Sequence, residues 1–420
     1  MSRLSLRKNF IWTFAGSMVY AASQWGMLMA LARLGNVQAV GQFSLGLALT
    51  APIFMFSNLQ LRGLQATDAE EQYCLDQYLS LRLVTSLLAY AAIVVIVLLG
   101  SYAHATAAVI LCVGAAKAFE SISDVFYGRL QSSERMDRVA LSLLLKGPLS
   151  LGALSVTYFL THSVGWASAA LAAAWLAWLI FFDAPNARRL ELVPRQRLFQ
   201  GIRLLLPLVW TALPLGIVMG LISLSTNVPR YFVAHLLGER ALGIYAALAY
   251  IIVAANMVVA ALGQSASPRL ARNYISNEAS AFLRLLVKML LLGTILGGVM
   301  TAGVALFGRP LLLLLYGKTY AAAANVLVWL TLAATLGFMA SFMGYAMTAA
   351  RRLTVQLPLF AAVVAVQVLS SFYLVRTDGL VGAAMSTVVA AVVQLLASSF
   401  VVWRALAQNL ERPTVNGVMS

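Results

Sequence analysis

Apolar runs of about twenty residues, separated by short polar breaks, follow one another along most of this 420-residue chain. A helix rises about 1.5 Å per residue, so each run is long enough to cross the roughly 30 Å hydrocarbon core of a bilayer. The runs predict twelve membrane-spanning helices, near 10–33, 41–61, 82–102, 106–128, 139–160, 164–183, 204–229, 243–267, 285–308, 321–349, 355–375 and 380–402. The pattern is typical of an all-α, polytopic membrane protein.

A short turn after the first span returns in the second half of the chain. Leu34-Gly35 leads to Gly41-Gln42-Phe43, and Leu237-Gly238 leads to Gly243-Ile244-Tyr245, with Gly41 and Gly243 lying 202 residues apart. We interpret this as an internal duplication that produces two homologous bundles of six helices. Because six spans return the chain to its starting side, the halves should be parallel repeats, related by an axis along the membrane normal.

A basic segment separates the two halves. We predict a six-helix lobe at residues 1–183, a cytoplasmic basic linker at 184–203, a second six-helix lobe at 204–403 and a cytoplasmic tail at 404–420. The linker carries Arg188, Arg189, Arg195 and Arg197, which suit contact with anionic lipid headgroups.

Composition and charge set the class and the orientation. Only 10% of the residues are charged and 61% are hydrophobic, whereas about a quarter would be charged in a soluble protein. The net charge of +15 could indicate a nucleic-acid binder, but most of the 29 cations lie in short loops. With a cytoplasmic N-terminus, 20 of them fall inside and 6 outside, as the positive-inside rule requires. The first apolar run is longer than the roughly 15 residues of a signal peptide, so we expect it to be retained as a span, with both termini inside.

The fourth span carries the most informative polar pattern, Lys117, Glu120 and Asp124. Spacings of three and four place these charges on one helical face, which should look into the protein or an aqueous cavity because charges are costly in lipid. One interpretation is that the three charges neutralise one another inside the protein and only stabilise the packing of this helix in its bundle. The other makes Lys117 a residue that binds an anionic substrate, and Glu120 and Asp124 residues that take up H⁺ or Na⁺ for ion coupling.

Five further cations are candidates for binding the substrate. Lys146 and Lys288 lie one to two turns from the cytoplasmic side, where snorkelling to the headgroups is favoured over a role in a cavity. Arg62, Arg33 and Arg230 mark the ends of spans, where they could line the mouths of a cavity. Arginines at helix ends more often serve as anchors.

The chain has no pattern of residues typical of catalysis. There is no Walker A sequence, which argues against ATP hydrolysis. The three histidines lack the spacing of metal ligands. We therefore expect neither an enzyme, nor a metal site, nor a cofactor.

Short motifs in both halves carry a family resemblance. They are Asn9-Phe10-Ile11-Trp12, the turn at Gly41, Asn58-Leu59-Gln60-Leu61-Arg62, Gln65-Ala66-Thr67-Asp68, the turn at Gly243, Tyr316-Gly317-Lys318-Thr319-Tyr320 and Gly379-Leu380-Val381-Gly382. With these motifs the chain resembles, over nearly its whole length, the polysaccharide transporter branch of the multidrug/oligosaccharidyl-lipid/polysaccharide (MOP) exporter superfamily.

The resemblance implies a flippase for O-antigen or exopolysaccharide precursors in the cytoplasmic membrane. Such a protein would move an undecaprenyl-diphosphate-linked oligosaccharide by alternating access, with the head group in a cationic cavity that includes Lys117 and Arg62. Expected partners are this substrate, membrane lipids and H⁺ or Na⁺, but no nucleic acid. A monomer is expected, which could act beside a glycan polymerase and glycosyltransferases. The related lipid II flippase has two further C-terminal helices, and the twelve predicted spans do not include them.

Three other functions stay open. A cation-coupled multidrug exporter of the same superfamily would need an acidic cavity, whereas spans seven to twelve hold no Asp or Glu. A major-facilitator transporter would carry a Gly-x-x-x-Asp-Arg motif between spans two and three, which is missing from Arg62 to Arg82. A glycan polymerase or ligase would normally need a large outward loop, and the longest one predicted here, around Arg309 to Tyr320, is short and apolar.

Overall fold

The computed structural model describes residues 6–68, 72–189, 205–352 and 354–410, and the regular elements in these ranges are all helical. They are α1 Leu6–Leu34, α2 Val37–Ser57, α3 Leu61–Thr67, α4 Leu75–Leu99, α5 His104–Ser132, α6 Met136–Thr161, α7 Val164–Trp178, a π-helical turn Leu179–Asp183, α8 Ala184–Arg188, α9 Leu206–Tyr250, α10 Val253–Ile275, α11 Ala279–Leu315, α12 Lys318–Ala321, α13 Ala324–Ala349 and α14 Gln356–Leu410. The predicted all-α class is confirmed.

The helices account for the predicted number of spans. Within the described residues, nine are long and apolar enough to cross a membrane. Two of these nine, α9 and α14, are each broken into two rods at a glycine with positive φ, Gly238 (φ 84°) and Gly379 (φ 58°). Glycine adopts this conformation at little cost because it has no Cβ. The second rod of α9, residues 239–250, is too short to cross a bilayer alone and is followed directly by α10. With this rod and α10 taken as one span, the other rods counted separately and the 29-residue α1 added, the described residues account for twelve spans.

Several predicted boundaries differ from the helix ends by seven or eight residues, and two of them change the interpretation. Helix α4 begins at Leu75, seven residues before the predicted start at 82, and is capped there by a hydrogen bond from the Cys74 amide to Gln77 Oε1 (2.9 Å). A count of apolar residues does not detect this start, because the first turns of α4 contain several polar residues. Helix α11 continues to Leu315, so the segment from Arg309 that was predicted as an outward loop is largely helical. Residues 190–203 of the predicted linker, residue 204 of the predicted second lobe and residues 411–420 of the predicted tail lie outside the described residues.

The described residues form two compact units. The first contains those up to Asn227 together with Glu239–Gly243, and the second contains Val228–Gly238 and those from Ile244 onward. In the first unit α5 is central and packs against α2, α3, α4, α6 and α7, whereas in the second α13 is central and packs against α10, α11 and α14. Helices α5 and α13 are the fourth spans of the two halves, so equivalent helices occupy equivalent places, as a duplication predicts. The predicted lobe boundaries themselves stay predictions.

The two copies of the repeated turn meet inside the first unit. A Cβ atom added to Gly41 of α2 would lie 1.8 Å from the carbonyl oxygen of Glu239, and one added to Gly243 would lie 2.0 Å from the carbonyl oxygen of Val37. No side chain fits at such distances, so glycine at both positions lets the two backbones touch.

Large apolar side chains cover much of the outer surface. Leu98, Leu99 and Phe181, for example, are 76%, 83% and 80% exposed. A water-soluble protein rarely exposes so much apolar surface. These side chains therefore face lipid, and the chain is a multi-pass membrane protein.

Candidate functional site

Four cations and three carboxylates lie together inside the first unit. They are Arg62, Arg82, Lys117, Glu120, Asp124, Lys146 and Asp183, and we refer to them as the charged cluster. The central helix α5 supplies three of them at spacings of three and four residues, which places them on one face. The others come from α3, α4, α6 and the π-helical turn that follows α7.

Asp124 holds two arginines. Its Oδ1 accepts a hydrogen bond from Arg62 Nη1 at 3.2 Å, and its Oδ2 lies 3.7 Å from Arg82 Nη2. The Arg82 side chain is 0% exposed, and it also donates to Asn58 Oδ1 and, at 3.3 Å, to Ser121 Oγ. A buried guanidinium is strongly destabilising unless it is paired and hydrogen-bonded. Asp124 and Asn58 therefore allow Arg82 to be buried.

Lys117 and Glu120 form the second ion pair of the cluster. Lys117 Nζ lies 2.7 Å from Glu120 Oε2, and the two side chains are 24% and 28% exposed. The other carboxylate oxygen of Glu120 accepts a hydrogen bond from the Tyr20 hydroxyl of α1. Lys117 Nζ also lies 5.4 Å from the ring centroid of Trp175, within the range of a cation–π interaction. The pair is thus only partly shielded from its surroundings.

Lys146 is buried, so the prediction that it snorkels to the headgroups is wrong. Its side chain is 1% exposed, and its Nζ lies 5.1 Å from the centroid of the Trp175 ring. The ammonium donates to Ser123 Oγ of α5 at 3.4 Å. Because α6 begins at Met136, Lys146 lies about 15 Å along the helix from its start, too deep for the ammonium to reach water.

Asp183 extends the cluster to the end of α7. It is 1% exposed and accepts hydrogen bonds from Ser142 Oγ at 2.6 Å and from the Tyr127 hydroxyl at 3.2 Å. The ring of Tyr127 in turn lies 5.6 Å from the guanidinium carbon of Arg62. Tyr127 therefore links the two ends of the cluster, and Trp175 links its two lysines.

Three predicted site residues lie elsewhere. Arg33 is exposed in the last turn of α1, about 20 Å along the helix from Tyr20. Arg230, on α9, and Lys288, on α11, belong to the second unit, where Arg230 is partly buried and Lys288 is exposed. The structure does not bring these three residues into the charged cluster, and their roles stay predictions.

Sequence reasoning missed two members of the cluster. The sequence pattern predicts Arg82 as the cytoplasmic start of the third span and Asp183 as the last residue of the first lobe. Arg82 lies between Leu81 and Leu83, and further apolar residues precede it as far as Leu75. These apolar neighbours are the signal that could have indicated that Arg82 lies inside a helix. We find no comparable signal for Asp183.

The arrangement favours binding of an anion. Four cations against three carboxylates leave one net positive charge, and guanidinium and ammonium groups make strong, charge-assisted hydrogen bonds to phosphate. Among the described residues, no group of His, Cys, Asp and Glu side chains is arranged to hold a metal ion.

Comparison with known proteins identifies relatives in polysaccharide biosynthesis. A family model described as polysaccharide biosynthesis protein matches residues 6–274. The capsular polysaccharide biosynthesis protein CapF of Staphylococcus aureus is 26% identical over 393 residues, which are 93% of this chain and 97% of CapF.

Solved structures show the same fold. The lipid II flippase MurJ in an inward closed conformation has a TM-score of 0.73 at 13% identity, over 96% of this chain and 90% of that chain. An inward-facing multidrug resistance transporter of the MATE family, in the MOP superfamily, has a TM-score of 0.68 at 13% identity, over 94% and 98%.

The expected resemblance is therefore confirmed. The two solved structures named above are a flippase and a transporter. Because the family model matches more than half of its residues, this chain belongs to the polysaccharide biosynthesis protein family, and it has the fold of the MOP exporter superfamily.

Proposed function

We propose that this protein is a flippase that moves an undecaprenyl-diphosphate-linked oligosaccharide across the cytoplasmic membrane for the synthesis of a surface polysaccharide. The charged cluster carries the proposal, because Arg82 and Lys146 are 0% and 1% exposed among helices long enough to span a membrane. The likeness to the polysaccharide biosynthesis family, to CapF and to the lipid II flippase MurJ supports the pathway and the class of lipid-linked substrate.

The charged cluster can compensate the charge of the diphosphate inside the membrane. A diphosphate loses its hydration when it enters a bilayer, and an unpaired charge in hydrocarbon is very costly. Arg62 and Lys117 are 31% and 24% exposed, so these two cations would contact the phosphates directly. Arg82 and Lys146 would add the positive field of buried charges, while the prenyl tail stays in the lipid.

The carboxylates of the cluster suggest how transport is coupled to an ion. Asp124 holds Arg62 and Arg82, and Glu120 holds Lys117, so both carboxylates compete with a phosphate for the same cations. Protonation of Asp124 or Glu120, or binding of Na⁺ beside one of them, would release a cation for the substrate. Loss of the ion would restore the internal pairs and expel the diphosphate.

The proposal also includes the orientation in the membrane, the mode of transport and the enzymes that act before and after the flippase. The positive-inside rule supports cytoplasmic termini, and the fold of the MOP superfamily supports alternating access. The sugar chain is made on the cytoplasmic side and used on the other. Glycosyltransferases would therefore supply the substrate, and a polymerase or ligase would consume the product.

Reconstitution of the full chain into proteoliposomes tests the proposal. A fluorescent lipid-linked oligosaccharide is placed in the bilayer, and its flipping is followed with a membrane-impermeant quencher. Arg62→Ala and Lys117→Ala each remove a charge-assisted hydrogen bond worth about 1.5–3 kcal/mol, so each should slow flipping about tenfold or more.

Matched controls are Arg284→Ala and Lys318→Ala, which remove exposed cations of the second unit. Both should flip at the wild-type rate. The assignment fails if the wild type does not flip the substrate, or if the cluster variants flip as fast as the controls.

A further inference from the structure

A cavity in the first unit has a different chemistry from the charged cluster. It measures about 490 Å³ and lies among the first turns of α2, α5 and α7 and the end of α6. Its 14 lining residues include no Asp, Glu, Lys or Arg. The residues that give it its character are Asn36, Gln38, Gln42, Tyr158, His162 and Trp166. The volume is within the range of small-molecule sites, about 300–1,000 Å³.

A network of exposed and partly buried hydrogen bonds orients the two glutamine amides. Gln38 Nε2 donates to Glu239 Oε2 at 3.1 Å, and Gln42 Nε2 donates to Thr106 Oγ1 at 3.3 Å. The Thr106 hydroxyl donates to the other oxygen of Glu239. Each amino group uses one of its two N–H bonds in this way, which fixes the orientation of the amide and leaves the carbonyl oxygens of Gln38 and Gln42 as acceptors for a ligand.

Asn36 supplies the opposite polarity. Its Oδ1 accepts a hydrogen bond from the Ala39 amide at 2.8 Å and caps α2, so its amino group is the one that can donate to a ligand. Two aromatic rings complete the cavity. Tyr158 is buried and packs edge-on against His162 with a centroid distance of 6.4 Å, whereas Trp166 is 68% exposed.

This combination matches the chemistry of a sugar. A pyranose has hydroxyl groups that both donate and accept, and a face of C–H groups that packs on the electron-rich face of an aromatic ring. It carries no charge, so it does not require the cations that a phosphate or an anionic lipid headgroup would need. Ala39, Ala108 and Ala169 also line the cavity, and their small apolar side chains leave room for a sugar ring.

We infer that this cavity binds one uncharged sugar unit of the transported oligosaccharide. The inference rests on the proposed function. In the proposed orientation, the ends of α2, α5, α6 and α7 that surround the cavity lie on the outer side. The cavity would therefore receive the sugar chain where it leaves the flippase. Glu239 acts as a positioning residue, because it orients Gln38 and Gln42 without lining the cavity.

A natural cysteine in the cavity provides the test. Cys112 lines the cavity, and Cys74 is the only other cysteine of the chain. Cys74→Ser leaves Cys112 as the single thiol and keeps a capping residue at the start of α4. The alkylation rate of Cys112 by a maleimide is measured in nanodiscs, with N-acetylglucosamine or galactose as probes. Mannitol, an acyclic polyol, and inorganic phosphate serve as controls.

At a sugar concentration about nine times the Kd, only about a tenth of the cavities remain empty, so alkylation should slow about tenfold. Mannitol and phosphate should not protect. Trp166→Ala should weaken protection at least about fivefold, since it removes the exposed ring. Trp210→Ala, which removes a ring 70% exposed elsewhere in the first unit, should leave protection unchanged. Gln42→Leu should weaken protection with an unchanged thermal unfolding midpoint.

The inference is overturned if Cys112 does not react, if neither cyclic sugar protects it, if phosphate protects equally, or if Trp166→Ala behaves like Trp210→Ala. The flipping assay separates this failure from failure of the proposed function. Flipping without sugar protection refutes the cavity assignment alone. Sugar protection without flipping of the lipid-linked oligosaccharide refutes the proposed function and leaves a sugar-binding cavity.

Discussion

Replacement of Asp124 by asparagine removes the charge that holds two arginines and keeps the shape of the side chain. The distances from its carboxylate oxygens to Arg62 and Arg82 are 3.2 and 3.7 Å. At an effective dielectric constant of about 20, unit charges at these distances attract with about 5 and 4.5 kcal/mol. The amide still accepts a hydrogen bond, and water reaches a side chain that is 29% exposed. We therefore expect Asp124→Asn to lower the free energy of unfolding by about 2–3 kcal/mol, below the 3–5 kcal/mol of a fully buried pair.

The same substitution should affect binding in the opposite direction. With their competitor gone, Arg62 is available to contact an anionic head group and the charge of Arg82 is no longer neutralised. The affinity for undecaprenyl diphosphate should therefore rise about tenfold, or about 1.4 kcal/mol. Flipping should slow, because the head group is no longer expelled. The assays are thermal unfolding, titration with the lipid, and flipping in proteoliposomes.

Asp378→Asn is the matched control, since Asp378 is exposed near the break in α14. The competition between Asp124 and the substrate is refuted if Asp124→Asn binds the lipid more weakly than wild type. It is also refuted if both variants are as stable as wild type and bind equally.

Three further results are expected. Gly41→Ala places a Cβ atom 1.8 Å from the Glu239 carbonyl oxygen and should lower the unfolding free energy by about 1–3 kcal/mol. Gly303→Ala, which places no atom within 4 Å of the added Cβ, should leave the unfolding free energy unchanged. Equal melting midpoints for Gly41→Ala and Gly303→Ala would contradict the close backbone contact at Gly41. Lys146→Met should lower the unfolding free energy by about 2 kcal/mol because it removes the ammonium group that donates to Ser123 Oγ and lies beside the Trp175 ring. A midpoint equal to that of Lys318→Met would show that the Lys146 charge is not needed. Overexpression should leave the tolerance of cells to cationic drugs unchanged, and raised tolerance would favour a multidrug exporter.

The sequence was sufficient for the parts of the fold that depend on local pattern. Apolar runs of span length predicted the helices, and the duplicated turn predicted two homologous halves. The spacing of Lys117, Glu120 and Asp124 predicted a common face because helical geometry fixes that relation. The pairing of Lys117 with Glu120 follows from the same spacing.

The rest of the cluster depends on tertiary contacts. A count of apolar residues predicts Arg82 as the end of a span. Inside the unit, however, Asp124 compensates the charge of Arg82 and Asn58 accepts a hydrogen bond from it. Lys146 is buried because the ring of Trp175, from another helix, lies beside it. Asp183 joins the cluster through a π-helical turn that the sequence did not predict. Each of these partners is distant in sequence, so periodicity alone could not reveal them.

The most direct test of the account compares two lipids that differ only in the phosphates. Proteoliposomes of the wild-type chain are supplied with a prenyl-diphosphate-linked oligosaccharide or with a neutral prenyl glycoside carrying the same sugars. If the cations of the charged cluster bind the head group, the diphosphate lipid should flip and the neutral lipid should remain at the rate of protein-free liposomes. Equal flipping of both lipids, or flipping of the neutral lipid alone, would contradict the account.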